Sequence, residues 1–431
     1  MLNRRTVVGI GWILVTLGCG TPQPSSTDAS GVPGAEDAAE EALVDPTAIR
    51  PFEIAVSDEV LADLATRLAR TRFPDQVGTD WVYGTDVDYL RELVTYWLDE
   101  YDWREQERQL NQFDHFKTRI DDLDIHFIHQ RSPEADALPL LILHGWPGSI
   151  VEFMKVIGPL TDPVAHGGRA EDAFHIVAPS LPGYGFSDRP REPGMGPEQI
   201  ADINAQLMAR LEYDRYGTQG GDWGAVISRW IAYKDAEHVA GLHLNFVMAS
   251  PPAGAENPME GVTPEELQRM QERQASLADA TGYTQIQGTK PQTLGYGLND
   301  SPAGLAAWIV EKFHAWCDCQ GDLESIFTKD ELLTNVMLYW VTQTATSAAR
   351  LYYESRRQAG AGLLTAPPGR VEVPTAGAMF PYELSIPPQR WAEAHYNITR
   401  WTQMPRGGHF AAFEQPELLV ADVRAFYRDL R

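Results

Sequence analysis

One five-residue run, Gly220-Gly221-Asp222-Trp223-Gly224, constrains the fold of this 431-residue chain more than any other feature. Residues 211–216 before it carry alternating and aromatic side chains and predict a short strand, and residues 225–232 after it predict a helix. Glycines on both sides of a central residue permit a sharp turn from strand to helix, because larger side chains there would collide with both elements. The alternative is an ordinary turn in which Asp222 caps the helix N-terminus.

The residue at the centre of this turn decides what chemistry it can perform. A small-x-nucleophile-x-small turn between a strand and a helix resembles the nucleophile elbow of the α/β-hydrolases. The central residue here is Asp222 rather than Ser or Cys. A carboxylate at an elbow attacks an electrophilic sp³ carbon and forms an ester between enzyme and substrate. We therefore predict that Asp222 is a catalytic nucleophile.

A second motif follows an apolar run. Residues 140–143 have the composition of a buried parallel strand, and they end at His144-Gly145-Trp146-Pro147. In α/β-hydrolases the corresponding loop turns a backbone N–H toward developing negative charge, and the residue after the nucleophile supplies a second one. We therefore predict that the backbone N–H groups of Trp146 and Trp223 form an oxyanion hole. The alternative is a rigid turn that only ends the strand.

The remaining segments predict the fold class. Strand-like runs at residues 174–178, 242–246, 371–375 and 396–401 occur among helical segments, which indicates a mostly parallel sheet. We predict an α/β-hydrolase fold, in which this sheet is flanked by helices and carries a helical lid insertion and an N-terminal extension. The predicted segments are a lipoprotein-like signal at 1–19, a disordered linker at 20–48, the N-terminal extension at 49–118, the first core segment at 119–250, the helical lid at 251–365 and the second core segment at 366–431.

An acid and a base are predicted after the late strands. Glu383 comes after the strand at 371–375, and His409 comes after the last strand, directly behind two glycines. The chain order nucleophile, acid, base is that of α/β-hydrolases. Glu372 and Glu393 lie in the same neighbourhood and remain alternatives for the acid.

Composition excludes several classes of partner. The net charge is −25 and the pI is about 4.8, which argues against nucleic-acid binding and against docking on an anionic membrane by charge alone. A hydrophobic content of 43% allows a large core. The chain has three cysteines. Cys317 and Cys319 have no neighbouring metal-ligand spacing and predict neither a metal site nor a disulfide framework, so we interpret them as incidental.

The first residues predict export. Arg4 and Arg5 precede an apolar run at residues 6–17, which is shorter than a membrane-spanning helix requires. The run ends at Gly18-Cys19, as in a bacterial lipoprotein signal whose Cys19 becomes lipidated. A twin-arginine signal and a spanning anchor are the alternatives. We therefore expect a membrane-anchored lipoprotein, or a periplasmic or extracellular protein, with a disordered tether after Cys19.

Taken together, these runs resemble the epoxide hydrolases of the microsomal type. The resemblance extends from residue 49 to the C-terminus and differs at the extreme N-terminus, where membrane-anchored relatives have a spanning helix. The runs that carry it are residues 49–52, 115–118, 123–129, 144–149, 220–224, 298–302, 334–340 and 406–414.

The resemblance implies residue roles and a reaction. Asp222 corresponds to the family's nucleophile, His409 to its base and Glu383 to its acid. Two lid tyrosines that hold and protonate the epoxide oxygen correspond to Tyr283 and Tyr352, although Tyr353 directly follows Tyr352 and is an alternative to it. By pattern alone, a lid tyrosine is most often buried aromatic area. The implied reaction converts an apolar epoxide and water to a vicinal diol through an alkyl-enzyme ester, without cofactor or metal.

Two other functions remain open from the sequence. Haloalkane dehalogenases also place Trp after an elbow Asp, and Trp223 could hold a leaving halide, but they lack the N-terminal extension and the paired lid tyrosines. The second alternative is a surface lipoprotein that binds apolar ligands without catalysis. The complete set of Asp222, Glu383 and His409 argues against this alternative. The many aromatic residues favour bulky apolar epoxides as substrates.

Overall fold

The computed structural model describes residues 45, 47–278, 280–360 and 364–431. The predicted signal with Cys19, and most of the predicted linker, lie outside the described residues. The strands are β1 (Arg50–Phe52), β2 (His115–Ile120), β3 (Leu123–Gln130), β4 (Leu138–Leu143), β5 (Phe174–Pro179), β6 (Tyr216–Gly220), β7 (Val239–Leu244), β8 (Val371–Met379) and β9 (Tyr396–Gln403).

The helices of the described residues are α1 (Asp58–Ala69), α2 (Val87–Asp99), α3 (Trp103–Leu110), α4 (Met154–Thr161), α5 (Pro197–Arg210), α6 (Asp222–Lys234), α7 (Pro264–Ser276), α8 (Gly282–Gln287), α9 (Pro291–Asp300), α10 (Pro302–Trp316), α11 (Lys329–Thr342), α12 (Ala345–Ala359), α13 (Gln389–His395), α14 (Ala411–Glu414) and α15 (Pro416–Tyr427). Short 3₁₀ turns lie at Trp81–Tyr83, Ile150–Phe153, Ala170–Asp172 and Leu323–Ser325.

The strands form one nine-stranded sheet in the order β1-β2-β3-β5-β4-β6-β7-β8-β9. The pairs from β1 to β5 in this order are antiparallel, and those from β5 to β9 are parallel. Strands β6 and β7 are buried along their whole length, as expected for parallel strands covered on both faces. Helices α4 and α15 pack together over one region of the sheet, whereas α6 packs against β4, β6, β7 and β8 and against α5. The predicted α/β class and mostly parallel sheet are confirmed.

The strand before the elbow lies later in the chain than predicted. We placed it at residues 211–216, but α5 ends at Arg210, Glu212 takes a left-handed conformation with φ of +62°, and β6 runs over Tyr216–Gly220. The sequence of β6 is rich in glycine and has low strand propensity, which is why its pattern gave no signal. Packing explains the composition, because a Cβ on Gly217 would lie 2.5 Å from the Tyr427 ring.

The N-terminal extension packs on the helices that follow β7. The hydroxyl of Tyr96 on α2 donates to Asp330 at 2.9 Å, and the hydroxyls of Tyr101 and Thr334 are 3.0 Å apart. Helix α2 also buries an apolar face that includes Leu93 and Trp97. The N-terminal extension therefore braces the lid helix α11 from outside.

Helix α11 in turn fixes the loop after β4. Asn335 donates through Nδ2 to the carbonyl oxygen of Pro147 at 2.8 Å, and the Tyr339 hydroxyl donates to that of Gly148 at 2.6 Å. Both side chains are buried. The segment 251–365, predicted as a lid, thus contributes hydrogen bonds that hold one of the loops next to Asp222.

The interpretation of Cys317 and Cys319 as incidental is wrong. The structure joins the two cysteines in a disulfide, with their Cα atoms 5.3 Å apart. They lie directly after α10, where the chain turns, and both side chains are buried. Spacing alone could not reveal this pairing, because two cysteines in a long chain are compatible with free thiols, metal binding or a disulfide.

Candidate active site

Asp222 lies at the sharp turn between β6 and α6. Its φ is +47°, in the left-handed region that non-glycine residues rarely adopt, and such strain is typical of functional turns. The flanking residues must be small because a Cβ on Gly220 would lie 2.4 Å from the backbone of Gly224, and a Cβ on Gly224 would lie 1.9 Å from the carbonyl oxygen of Leu143. The elbow geometry predicted from the sequence is present.

The loop after β4 brings a backbone donor to the carboxylate. The N–H of Trp146 donates to Oδ1 of Asp222 at 2.8 Å. The N–H of Trp223 lies in the first turn of α6, where helical N–H groups have no intrahelical acceptor. Among the described residues, a hydrogen bond to the Asp222 carboxylate is found from Trp146 and not from Trp223. Of the two predicted oxyanion donors, the first is therefore already engaged in this structure.

His409 and Glu383 converge on the same carboxylate. Nε2 of His409 lies 3.2 Å from Oδ2 of Asp222, and Nδ1 of His409 lies 2.5 Å from Oε1 of Glu383. Glu383 is fully buried and His409 is 4% exposed. The two alternative acids lie elsewhere: Glu372 is exposed and pairs with Arg370, and Glu393 accepts a hydrogen bond from Gln389 at 3.1 Å. The structure brings Asp222, His409 and Glu383 together.

The charges around His409 change its proton affinity. Burial alone would lower its pKa, but the negative charges of Glu383 and Asp222 and the hydrogen bonds to both raise that pKa to about 10. At neutral pH the imidazole ring is therefore protonated. His144 is also buried, and burial lowers its pKa to about 4, although the Gly145 carbonyl and the charge of Asp222 raise it.

The predicted lid tyrosines face each other beside the elbow. The rings of Tyr283 on α8 and Tyr352 on α12 have centroids 5.7 Å apart. Tyr283 stacks on Trp146 at 5.2 Å, and Tyr352 packs edge-on against Trp223 at 4.8 Å. Burial raises the pKa of both hydroxyls, so both are protonated at neutral pH.

Tyr353, the alternative to Tyr352, lies apart from this group. Its ring is partly exposed and is covered by the guanidinium group of Arg357, 4.8 Å from the ring centroid. Tyr352, in contrast, is 2% exposed. Because consecutive helical residues point about 100° apart, only one of the two tyrosines can face the elbow, and the structure places Tyr352 there.

Sequence reasoning missed a buried carboxylate that holds the His409 loop. Glu414 accepts hydrogen bonds of 2.9 Å from the backbone N–H groups of Asp318, Gly408 and Phe410. Burial raises its pKa to about 7, although these three hydrogen bonds lower it. The N–H of His409 itself donates to the carbonyl oxygen of Trp316 at 3.0 Å. The signal was the position of Glu414, five residues after His409 at the end of a motif already singled out.

Three further polar residues next to Asp222 also went unnoticed. Glu152, Gln219 and Asn245 line a small cavity together with Asp222 and His409. They lie on the loop after β4, on β6 and just after β7, and none belongs to a recognisable motif by spacing alone. Across the residues that the structure describes, no group of three or more His, Cys, Asp or Glu residues could hold a metal ion.

Within the described residues, none of the helices combines the length and the apolar character that a membrane crossing requires.

The comparisons with known proteins agree with this geometry. The family model described as "Epoxide hydrolase N terminus" matches residues 49–153, and the model described as "alpha/beta hydrolase fold" matches residues 139–302. Epoxide hydrolase 1 of Sus scrofa is 41% identical over 417 residues, which cover 91% of each chain.

Solved structures give the same result. The crystal structure of juvenile hormone epoxide hydrolase from the silkworm Bombyx mori matches with a TM-score of 0.80 at 36% identity, covering 89% of this chain and 95% of that one. The Aspergillus niger epoxide hydrolase matches with a TM-score of 0.78 at 31% identity, covering 89% and 97%. These relatives do not favour the haloalkane dehalogenase alternative. With an Asp at its elbow, an N-terminal extension that fits the family model and relatives aligned over most of its length, the chain belongs to the epoxide hydrolases of the microsomal type, within the α/β-hydrolase superfamily.

Proposed function

We propose that this epoxide hydrolase forms an ester on Asp222, which a water molecule activated by His409 then hydrolyses to release a vicinal diol. One observation carries the proposal: both oxygens of the Asp222 carboxylate are engaged. Oδ1 accepts the N–H of Trp146 at 2.8 Å, and Oδ2 lies 3.2 Å from Nε2 of His409. Oδ1 is thus held where an oxyanion would later form, and Oδ2, beside His409, is the oxygen that becomes the ester oxygen.

In the first half-reaction, Oδ2 of Asp222 attacks one epoxide carbon from the side opposite the ring oxygen. The C–O bond of the ring breaks, and its electron pair stays on the ring oxygen. Tyr283 and Tyr352 donate hydrogen bonds to that oxygen, and one of them gives it a proton. Tyrosine is a weak acid, but the alkoxide that forms is a stronger base, so the transfer is favourable. The raised pKa of both hydroxyls keeps the protons available before the attack.

Ester formation changes the charge around His409. The ester is neutral, so one of the two anions that raise the pKa of His409 disappears. We propose that the imidazolium then gives its proton, through water, to the tyrosinate left by the first half-reaction. Proton transfer restores the tyrosine and leaves His409 neutral, with Glu383 still bound to Nδ1. His409 can now act as a base.

In the second half-reaction, His409 takes a proton from a water molecule whose oxygen attacks the ester carbonyl carbon. The tetrahedral intermediate places negative charge on Oδ1, where the N–H groups of Trp146 and Trp223 stabilise it; removing such a donor costs roughly 3–4 kcal/mol in other enzymes. Collapse breaks the ester C–O bond, and the leaving alkoxide takes the proton of the new carboxylic acid. The products are the diol, the Asp222 carboxylate and protonated His409, which is the starting state.

The side chains near Asp222 support an apolar epoxide as the substrate. Trp146, Trp223, Tyr283, Tyr352 and Trp316 contribute aromatic rings that contact one another beside the carboxylate. Rings of this kind bind aryl or alkyl groups through apolar area, and the hydroxyls of Tyr283 and Tyr352 supply the polar contacts to the epoxide oxygen.

Diol formation from styrene oxide and from a few aliphatic epoxides tests the proposal. The purified wild-type protein should produce diol, and the Asp222→Ala variant should produce none above the uncatalysed rate. Diol formation that survives in Asp222→Ala would contradict the ester and indicate direct attack by water. Halide release from a chloroalkane, without diol from any epoxide, would support a dehalogenase instead.

We also propose that the chain is exported and anchored through a lipid on Cys19. The support is the sequence: Arg4 and Arg5, the apolar run at residues 6–17 and Gly18-Cys19 form the order of a lipoprotein signal. Metabolic labelling with a radioactive fatty acid in a bacterial host tests this proposal. Label in the wild-type protein and its loss in Cys19→Ser are expected, whereas unlabelled wild-type protein would contradict the anchor.

A further inference from the structure

A carboxyl group that the mechanism does not use lies next to the nucleophile. Glu152 belongs to the 3₁₀ turn Ile150–Phe153, which follows the loop that carries Trp146. Its side chain turns back toward that loop, because a Cβ on Gly148 would lie 1.4 Å from Oε1 of Glu152. The glycine at position 148 therefore leaves the space that the Glu152 carboxyl group fills.

The carboxyl group of Glu152 faces a small cavity rather than a protein partner. The cavity has a volume of about 20 Å³, and Glu152, Asp222, His409, Gln219 and Asn245 are among the residues that line it. A single water molecule needs about 10–15 Å³ of such volume and two to four polar partners. Both conditions are met, so the cavity has the size and the polarity of a site for one water molecule.

The position of the cavity relates it to the second half-reaction. Neither Tyr283 nor Tyr352 lines it, so it is distinct from the space in which an epoxide would meet the two hydroxyls. It adjoins both Asp222 and His409, which are the electrophile and the base when the ester is hydrolysed. A water molecule here is beside both groups that it has to react with.

The carboxyl oxygens of Glu152 are available to bind a water molecule in this cavity. Among the residues that the structure describes, no hydrogen bond or ion pair satisfies its carboxyl oxygens. Four ionisable groups act on it through their charge: His409 attracts the carboxylate, and Asp222, Glu383 and Glu414 repel it. Glu152 is half-buried, and water is the usual means of satisfying a carboxyl group that has no protein partner.

We propose that Glu152 is a second anchor of the hydrolytic water, holding one of its hydrogen atoms while His409 accepts the other. The two contacts leave a lone pair of the water oxygen directed at the carbonyl carbon of the Asp222 ester. The amide group of Asn245, which donates no other hydrogen bond among the described residues, lies in position to contact the same water. Burial raises the pKa of Glu152 to about 8, so its neutral carbonyl oxygen accepts the hydrogen bond without a second negative charge beside the ester.

The assignment rests on the proposed ester mechanism, and the test separates its two half-reactions. The full-length protein and its variants are mixed with excess styrene oxide, quenched in acid and analysed by mass spectrometry for the ester on the peptide that contains Asp222. Glu152→Met has a similar length and no acceptor, and Glu152→Gln keeps a carbonyl oxygen. For Glu152→Met we expect ester formation at the wild-type rate and ester hydrolysis about tenfold slower, the loss that corresponds to one hydrogen bond in the transition state.

Rescue and a matched control distinguish water binding from a change in the loop. Glu152→Gln should hydrolyse the ester within about threefold of the wild-type rate, because its amide oxygen replaces the acceptor. Ser149→Ala alters the same loop on its other side, where Oγ of Ser149 donates to Asn335 at 2.7 Å. This control should slow both half-reactions together and accumulate no ester.

Three results would overturn the assignment. Wild-type ester hydrolysis in Glu152→Met would show that the carboxyl group does not hold the water. Equal slowing of both half-reactions in that variant, as in Ser149→Ala, would show that Glu152 only supports the loop. A wild-type protein that forms no ester at all would contradict the proposed mechanism itself, and the Glu152 assignment with it.

Discussion

The core side and the lid side of the active site are held by different kinds of contact. On the core side, Asp222, His409 and Glu383 are joined by hydrogen bonds between charged groups, and each follows a strand of the sheet. On the lid side, Tyr283 and Tyr352 are positioned by ring contacts with tryptophans at 5.2 and 4.8 Å. In the proposed mechanism, the core therefore fixes the groups that change charge, and the lid supplies neutral donors on an aromatic surface.

Trp146 connects the two sides. Its backbone N–H binds the Asp222 carboxylate, and its indole ring stacks on Tyr283. Its loop is in turn held by Asn335 and Tyr339 of the lid helix α11. A change in the lid can thus reach the N–H of Trp146 without touching Asp222, His409 or Glu383. In the proposed mechanism, we expect His409 and Glu383 to control ester hydrolysis and the lid tyrosines to control ester formation, and variants that separate these two steps test this division.

The largest effect is expected for His409→Gln on the core side. The variant keeps a hydrogen-bonding side chain but has no base, so ester hydrolysis should fall about 1,000-fold while the ester still forms. Mass spectrometry after mixing with styrene oxide should show the protein accumulating as the ester. A variant that loses turnover without accumulating ester would show that His409 is also needed for the first half-reaction.

Glu383→Gln should have the next largest effect, about 100-fold on ester hydrolysis. The substitution removes the charge that keeps the imidazole oriented and raises its pKa. Glu372→Gln is the matched control, because this exposed residue was the sequence-based alternative for the acid. Steady-state diol formation measures both. Equal loss in the two variants would contradict the choice of Glu383.

Tyr352→Phe tests the lid side and should slow ester formation about tenfold, with ester hydrolysis unchanged, because Tyr283 still donates to the ring oxygen. Tyr353→Phe, one position along α12, should remain within about twofold of the wild type. Single-turnover kinetics with excess enzyme resolve the two steps. If Tyr352→Phe slowed hydrolysis instead, the assignment of the two steps to lid and core would be wrong.

The smallest effect concerns stability and pH. The pKa of Glu152 is about 8 in the folded protein and about 4.5 in an unfolded chain, so the folded state favours its protonated form. Ionising this carboxyl group therefore lowers the free energy of unfolding. This loss is absent below about pH 4.5 and grows as the pH rises toward 8. Glu152→Gln cannot ionise, so its melting temperature relative to the wild type should increase from pH 5 to about pH 8. A difference that is constant with pH would contradict the raised pKa.

Much of the core side was predictable from the sequence because its determinants are local. The glycines around Asp222 mark a turn that only small residues permit, and the glycines before His409 mark a loop of the same kind. The order of nucleophile, acid and base then indicated the fold. Choosing Glu383 over Glu372 and Glu393 needed the resemblance and the structure, since three carboxylates follow one another within a short segment.

Other features could not be predicted from local pattern. A tyrosine on a lid helix has no signature that separates Tyr352 from Tyr353, because the direction of each side chain depends on how the helix packs. The strand at Tyr216–Gly220 has low strand propensity and is imposed by packing against Tyr427. Glu152 acquires its environment only when distant loops meet, so nothing in its neighbours along the chain identifies it.

The origin of the oxygen atom in the first molecule of diol decides whether Asp222 forms the ester. The protein, in excess over styrene oxide, is allowed a single turnover in ¹⁸O-labelled water. An ester on Asp222 predicts that the first diol contains unlabelled oxygen from the carboxylate and that the peptide containing Asp222 gains the label. Labelled diol from the first turnover, with an unlabelled peptide, would show that water attacks the epoxide directly and would contradict Asp222 as the nucleophile.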